Sequence, residues 1–108
     1  MLRPSYDGFV GGSCVKALDS FRFDLAFLGC YGVDAASSEV TTHAHEDGIV
    51  KEAVVARSRK SHVLAESRKL ASFGSYRYAG FDDLEALIGD GENAIGLARV
   101  RRAGLEVL

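Results

Sequence analysis

The apolar positions of this 108-residue chain fall into short blocks, and their period alternates between helical spacing and near-continuous runs. Val15, Leu18 and Phe21 recur at helical spacing and predict a short amphipathic helix over residues 13–21. The run FDLAFL over 23–28, closed by Gly29 and Gly32, has the pattern of a strand buried on both faces in a parallel sheet. Residues 33–46 are small and polar and read as a loop. The helical period returns from Asp47 to Lys60, where Ile49, Ala53 and Ala56 form a row beside Val50 and Val54. Lys51, Glu52, Arg57 and Arg59 are its polar complement. A short strand at 62–65 is followed by a polar connection, and EALIG at 85–89 is another strand. Asp90 suits the N-cap of a helix over about 91–103, with Leu97 and Ala98 inward and Arg101 and Arg102 near its end. Gly104 then suits the position after the C-cap, and LEVL closes with a last strand. Residues 1–12, with the apolar pair Phe9 and Val10, give no element of their own.

Strand–helix–strand twice over predicts an α/β fold, a Rossmann-like, mainly parallel sheet flanked by helices and joined by right-handed crossovers. Three or four short strands make a narrow sheet with open edges. The expectation is an incomplete domain, or one member of a homo-oligomer.

Composition narrows the function classes. With 47% hydrophobic and 26% charged residues the chain reads as an ordinary globular protein. Its formal net charge of −2 gives no basic surface for phosphate backbones, so direct nucleic-acid binding is not expected. The basic run Arg57 to Lys60 reads as the solvated end of a helix. Cys14 and Cys30 are too few for a disulfide framework. There is no signal peptide and no apolar run near 18 residues, which predicts a cytoplasmic protein with reduced thiols and no membrane partner.

Candidate chemistry concentrates between Asp24 and Lys51. Gly29 and Gly32 close the first strand and serve backbone conformation, since a G-x-x-G pair alone is a weak phosphate motif. Asp34 sits where sheet ligands gather, and equally suits an Asx turn. Thr41 and Thr42 are ligand donors or helix-approach caps. Asp47 and Lys51, at i and i+4, share a helical face, either as a surface pair or as groups for sugar hydroxyls and a phosphate. Lys69 follows the strand at 62–65 and could reach the same sheet edge; otherwise it is a solvated lysine. His43, His45, Glu46 and Asp47 are metal-ligand types, but the cluster has no remote third ligand, so neither metal nor cofactor is expected. No nucleophile elbow, Cys–His arrangement or P-loop is present, and no catalytic residue is assigned.

The segments LRPSYDGFVG, FDLAFLGCYGVD, TTHAHEDGIVK, HVLAESRKL and LEALIGDGENAIGLARVRRAGLEVL occur in order over nearly the whole chain. Together they resemble the C-terminal effector-sensing domain of DeoR-family bacterial transcriptional regulators. The resemblance implies a fold related to ribose-5-phosphate isomerase and the CoA transferases, and a role in sensing a phosphorylated sugar or related metabolite. It directs attention to Asp34, Thr41, Thr42, Asp47, Lys51 and Lys69 as ligand-binding residues. It also implies that 1–108 is a partial effector-sensing domain, without the family's winged helix-turn-helix or its Gly/Ser/Thr-rich phosphate loop. Asp47, Gly48, Glu66, Arg68 and Leu70 stand where the family more often has Glu, Ala, Asp, Ser and Phe, departures that bear on ligand identity. The alternatives are a sugar-phosphate isomerase-like enzyme or a structural, oligomerising remnant.

Overall fold

The apolar run at 23–29 forms the expected strand, and the other elements pile against one side of it. The computed structural model describes residues 2–3, 8–9 and 16–108. Two short strands, β1 (Leu2–Arg3) and β2 (Gly8–Phe9), pair antiparallel. They are followed by β3 (Phe23–Gly29), β4 (Gly32–Asp34), β5 (Glu39–Thr42), helix α1 (His45–Arg57) and β6 (Ser58–Ala65). Then come β7 (Tyr76–Gly80), β8 (Ala86–Gly89), helix α2 (Ala94–Arg102) and β9 (Glu106–Val107). Single 3-10 turns occupy Ser67–Ala71 and Phe81–Asp83.

The principal sheet has the order β3-β6-β8-β9, and every pairing in it is parallel. This is the mainly parallel α/β architecture that the sequence pattern predicts. The order runs in one direction without reversal, so right-handed crossovers put all connecting elements on the same face. Burial agrees. Leu28, Val63 and Leu87 from one face of the sheet share a single core with Leu97 and Val100 of α2, while Val54 and Val55 of α1 pack against it. The smaller antiparallel sheet β4-β5-β7 adds Val33, Val40, Tyr78 and Ala79 to the same core.

Several expectations are corrected. β3 is covered on one face only: Ala26 and Leu28 are buried, whereas Leu25 and Phe27 are 48% and 54% exposed. Among the described residues an unreversed strand order leaves the second face without helices, which the hydrophobic run alone does not reveal. Residues 33–46 are not a loop but contain the β4–β5 hairpin, held by Val33↔Val40 and its neighbours. Helix α1 starts at His45 rather than Asp47 and stops at Arg57 rather than Lys60. It ends there because Ser58 already pairs with Phe23 in the sheet, and the Ser58 hydroxyl donates to the Val54 carbonyl at 2.6 Å. The strand expected at 62–65 therefore begins four residues earlier, and Arg59 and Lys60 of the basic run belong to it. Arg57 itself donates to Asp19 at 2.5 Å.

The polar connection after β6 hides β7, in which Tyr78 and Ala79 are buried. Asn93, not Asp90, caps α2; it sits in the left-handed region at φ 57° and its side chain accepts from the Gly96 amide. Asn tolerates that conformation and is a strong cap, whereas the sequence pattern predicts the cap at the nearby Asp90. Gly104 does follow the helix, at φ +108°, where glycine is unstrained. Of the helix expected over 13–21, residues 16–18 are helical and residues 13–15 lie outside the described residues. Residues 1–12 are not without elements, since Leu2–Arg3 and Gly8–Phe9 pair as β1 and β2; the rest of that segment lies outside the described residues.

Candidate functional site

Parallel strands gather ligands at their C-terminal ends, where carbonyl-rich strand ends give way to loops. Here β3, β6 and β8 end side by side at Gly29, Ala65 and Gly89. Beyond them lies a cavity of about 380 Å³, lined among others by Cys30, Leu64, Glu66, Lys69 and Asp90. Its floor is fixed from below: Tyr78, 2% exposed on β7, donates its hydroxyl to the Gly29 carbonyl at 2.9 Å. Burial holds the Tyr78 hydroxyl protonated far above its ordinary range, with the nearby Cys30 and Asp47 adding to the effect.

Two lysines reach this edge from different elements. Lys51 projects from α1, with its ammonium 2.8 Å from the Asp47 carboxylate and 5.7 Å from the centre of the Tyr78 ring. The same Asp47 oxygen accepts from the Thr42 hydroxyl at 2.9 Å. Thr42, Asp47 and Lys51 thus form one continuous polar chain from the end of β5 into the first turns of α1. Lys69 comes from the 3-10 turn after β6, and its ammonium lies 5.3 Å from the centre of the Tyr31 ring. Both lysines sit close enough to Cys30 for their charges to oppose the rise in its pKa. Burial still dominates and pushes the thiol up to about 11, so it is neutral at physiological pH.

Charge pairing distinguishes the two cations. Lys51 is matched by Asp47, whereas Lys69 makes no ion pair among the described residues. The carboxylates that line the same cavity are otherwise engaged. Glu66 is 3.5 Å from Arg68. Asp90 accepts from the Ser67 and Glu92 amides at 3.0 and 2.9 Å, bonds that hold its carboxyl below the ordinary range.

The structure therefore brings together Thr42, Asp47, Lys51, Lys69 and the Gly29 turn, and separates the other candidates from them. Asp34 forms the Asx turn: its carboxylate accepts from the Ala36 amide at 3.0 Å and the Ser37 hydroxyl at 2.9 Å. It faces a different groove of about 570 Å³, beside Asn93, Ile95, Arg99 and Arg102 of the α2 side. Thr41 is buried, and its hydroxyl is used internally, donating to the Gly32 carbonyl at 3.2 Å and accepting from the Gly74 amide at 2.6 Å. Gly32 is required sterically, since a β-carbon there would lie 1.9 Å from the Ser72 carbonyl oxygen. Gly29 has open space around it. The two histidines of the H-x-H-E-D stretch diverge: His43 stacks on Tyr31 at 4.8 Å, and His45 meets the edge of Tyr76 at 5.0 Å.

Cys30, Tyr31, Tyr78 and Asp90 belong to the edge but were not singled out from sequence as ligand residues. The available signal for Tyr78 was the alternation of Tyr76 and Tyr78 between Gly74 and Gly80, a strand signature masked by its polar flanks.

A parallel sheet with lysines near its carboxyl edge has the arrangement in which α/β folds build small-molecule sites. The chain's relatives agree with that class. The family described as DeoR C terminal sensor domain matches residues 1–91, and the chain belongs to that family. It is similar to the HTH-type transcriptional repressor GlcR of Bacillus subtilis, 35% identical over 81 residues, which cover 74% of this chain and 30% of GlcR. The uncharacterized HTH-type transcriptional regulator FruR of the same organism is 29% identical over 83 residues, covering 77% of this chain and 33% of FruR. The HTH-type transcriptional regulator GlpR of Haloferax volcanii is 27% identical over 108 residues, covering 99% of this chain and 42% of GlpR. The chain thus spans between 30% and 42% of the length of these relatives.

Proposed function

We propose that the chain is the effector-sensing part of a DeoR-type regulator of carbohydrate metabolism, and that its effector is a phosphorylated sugar or a related metabolite. The observation that carries this reading is the placement of Lys69 in the cavity beside Cys30, without an ion-pair partner among the described residues, and of Lys51 over Tyr78, whose hydroxyl holds the Gly29 carbonyl. In this reading Lys69 and Lys51 meet the phosphate, and Asp47 and Thr42 take sugar hydroxyls. Lysine suits a phosphate as a compact point charge on a flexible stem. The relatives' names as transcriptional regulators point the same way.

Sensing is favoured over isomerase chemistry by the internal engagement of the acid paired with Lys51. One Asp47 oxygen is already bonded to both Thr42 and Lys51, which fixes the carboxylate within that polar chain. No helix among the described residues is long and apolar enough to cross a membrane, which fits the proposed cytoplasmic location. Calorimetric titration with triose, pentose and hexose phosphates, each beside its unphosphorylated sugar, tests the proposal. Heat from at least one phosphorylated member and none from its parent sugar is expected. A folded protein that responds to no phosphorylated sugar refutes it.

A further inference from the structure

The two lysines at the sheet edge are held by different means. Lys51 is tied to Asp47 at 2.8 Å, so its charge is already met by a carboxylate. Lys69 makes no ion pair among the described residues, yet it has a fixed neighbour. Its ammonium lies 5.3 Å from the centre of the Tyr31 ring. A ring face attracts a cation through its quadrupole and leaves the net charge in place, whereas a carboxylate cancels it.

Tyr31 is itself built into position. It occupies the turn between β3 and β4, and its amide donates to the Thr41 carbonyl at 2.9 Å. Its ring stacks on His43, with centres 4.8 Å apart and planes 26° from parallel. The His43 carbonyl in turn accepts from the Ser75 hydroxyl at 3.1 Å. The 3-10 turn that carries Lys69 comes close to the β3–β4 turn because Gly32 has no β-carbon to block Ser72, the residue that ends it. Three segments distant in sequence thus meet around one ring. Core packing does not account for the arrangement, since Tyr31 is 41% exposed.

We propose that Tyr31 is a positioning residue for the effector's anionic group: steadied by His43, it holds the Lys69 ammonium at the cavity with its charge uncancelled. The proposal rests on the sensor function above and assigns to that site an uncharged residue. Lysine carries its charge on a flexible four-carbon stem, and ordering that stem on binding costs affinity. A lysine already lying on an aromatic face has met part of that cost before the ligand arrives. An acid at position 31 would order Lys69 as well but neutralise it, and an aliphatic residue would leave it unheld. The ring face is what acts, so phenylalanine is expected to serve in its place and leucine is not.

Calorimetric titration of the 108-residue chain with inorganic phosphate, glyceraldehyde 3-phosphate, ribose 5-phosphate and glucose 6-phosphate tests this. Wild type, Tyr31→Leu and Tyr31→Phe are compared, each with its fold checked by circular dichroism. Tyr31→Leu is expected to weaken the tightest of these probes by about two- to fivefold, the range of an exposed cation–π contact, while Tyr31→Phe binds as wild type. In a Lys69→Ala chain, adding Tyr31→Leu is expected to cause no further loss, because Tyr31 acts only through that lysine. A proton spectrum reads the contact without ligand: the Lys69 ε-methylene protons lie upfield under the ring in wild type and Tyr31→Phe, and move to ordinary lysine positions in Tyr31→Leu. Unchanged binding in Tyr31→Leu, a Tyr31→Phe chain as weak as Tyr31→Leu, or a leucine effect that persists without Lys69 overturns the proposal and leaves the sensor reading standing. If no probe binds wild type, the sensor reading fails and the positioning role falls with it, even where the Lys69 protons confirm the contact. Ordinary Lys69 positions in wild type overturn the contact by themselves.

Discussion

Gly29 and Gly32 look equivalent in sequence, and replacing each with alanine is expected to have opposite consequences. A β-carbon on Gly32 would sit 1.9 Å from the Ser72 carbonyl oxygen, 2.3 Å from its carbon and 2.6 Å from the Phe73 Cα. All three are backbone atoms, so no side-chain rotation relieves the clash, and β4 must move more than an ångström from the segment after Ala71. That movement breaks the junction at Thr41, whose hydroxyl joins the Gly32 carbonyl at 3.2 Å to the Gly74 amide at 2.6 Å. Two hydrogen bonds at about 1 kcal/mol each, plus overpacking of 1–3 kcal/mol, give a loss of roughly 3–5 kcal/mol. For a domain of this size that lowers Tm by about 12–25 °C. Gly29→Ala meets nothing within 4 Å and adopts no positive φ, so it is expected within about 0.5 kcal/mol of wild type. Urea denaturation and scanning calorimetry of both variants read the difference. Equal midpoints for the two would refute the close approach of β4 to Ser72.

Three further outcomes are expected. Tyr78→Phe removes the bond to the Gly29 carbonyl and should destabilise by about 1 kcal/mol, measured by urea denaturation, with Cys30 labelled faster by a thiol reagent as the turn loosens. Asn93→Ala loses both the cap and a residue suited to φ 57°, and should lower stability by about 1–2 kcal/mol, whereas Asp90→Asn leaves α2 helicity unchanged by circular dichroism. Stability should decline from pH 9 to 11. Cys30 has its folded pKa raised from 9.0 to about 11, so its contribution is complete below pH 9 and is lost as pH rises through the folded value. Tyr78, raised by burial, acts in the same direction above pH 10. Denaturation midpoints across this range check the sign, and a rising midpoint would contradict it.

The parallel sheet was legible because its cues are local. The apolar run of β3, the helical rows of α1 and Gly104 after α2 each state their element within a few residues. The β4–β5 hairpin and β7 were not, because their inward residues are few: Val33, Val40, Tyr78 and Ala79 are buried by partners distant in sequence, between polar neighbours. Covering only one face of β3 depends on the order of strands in space, which hydrophobic spacing does not encode. For the site, Asp47 and Lys51 were readable from their i, i+4 spacing, and the bond from Thr42 completes them. Asp34 lies equally near in sequence, but the hairpin turns it toward the groove beside α2. The family resemblance located the edge; only the geometry divided its residues between two cavities.

The central claim is that an anionic effector lies between Lys51 and Lys69 at the carboxyl edge of the parallel sheet. Amide chemical-shift mapping during titration with a phosphorylated sugar tests it most directly, because the two cavities involve different backbone segments. The account predicts shifts concentrated at Cys30, Tyr31 and residues 66–70, abolished in Lys51→Ala and Lys69→Ala together. Shifts confined to Asp34, Ile95 and Arg99, or shifts that survive the loss of both lysines, would contradict it.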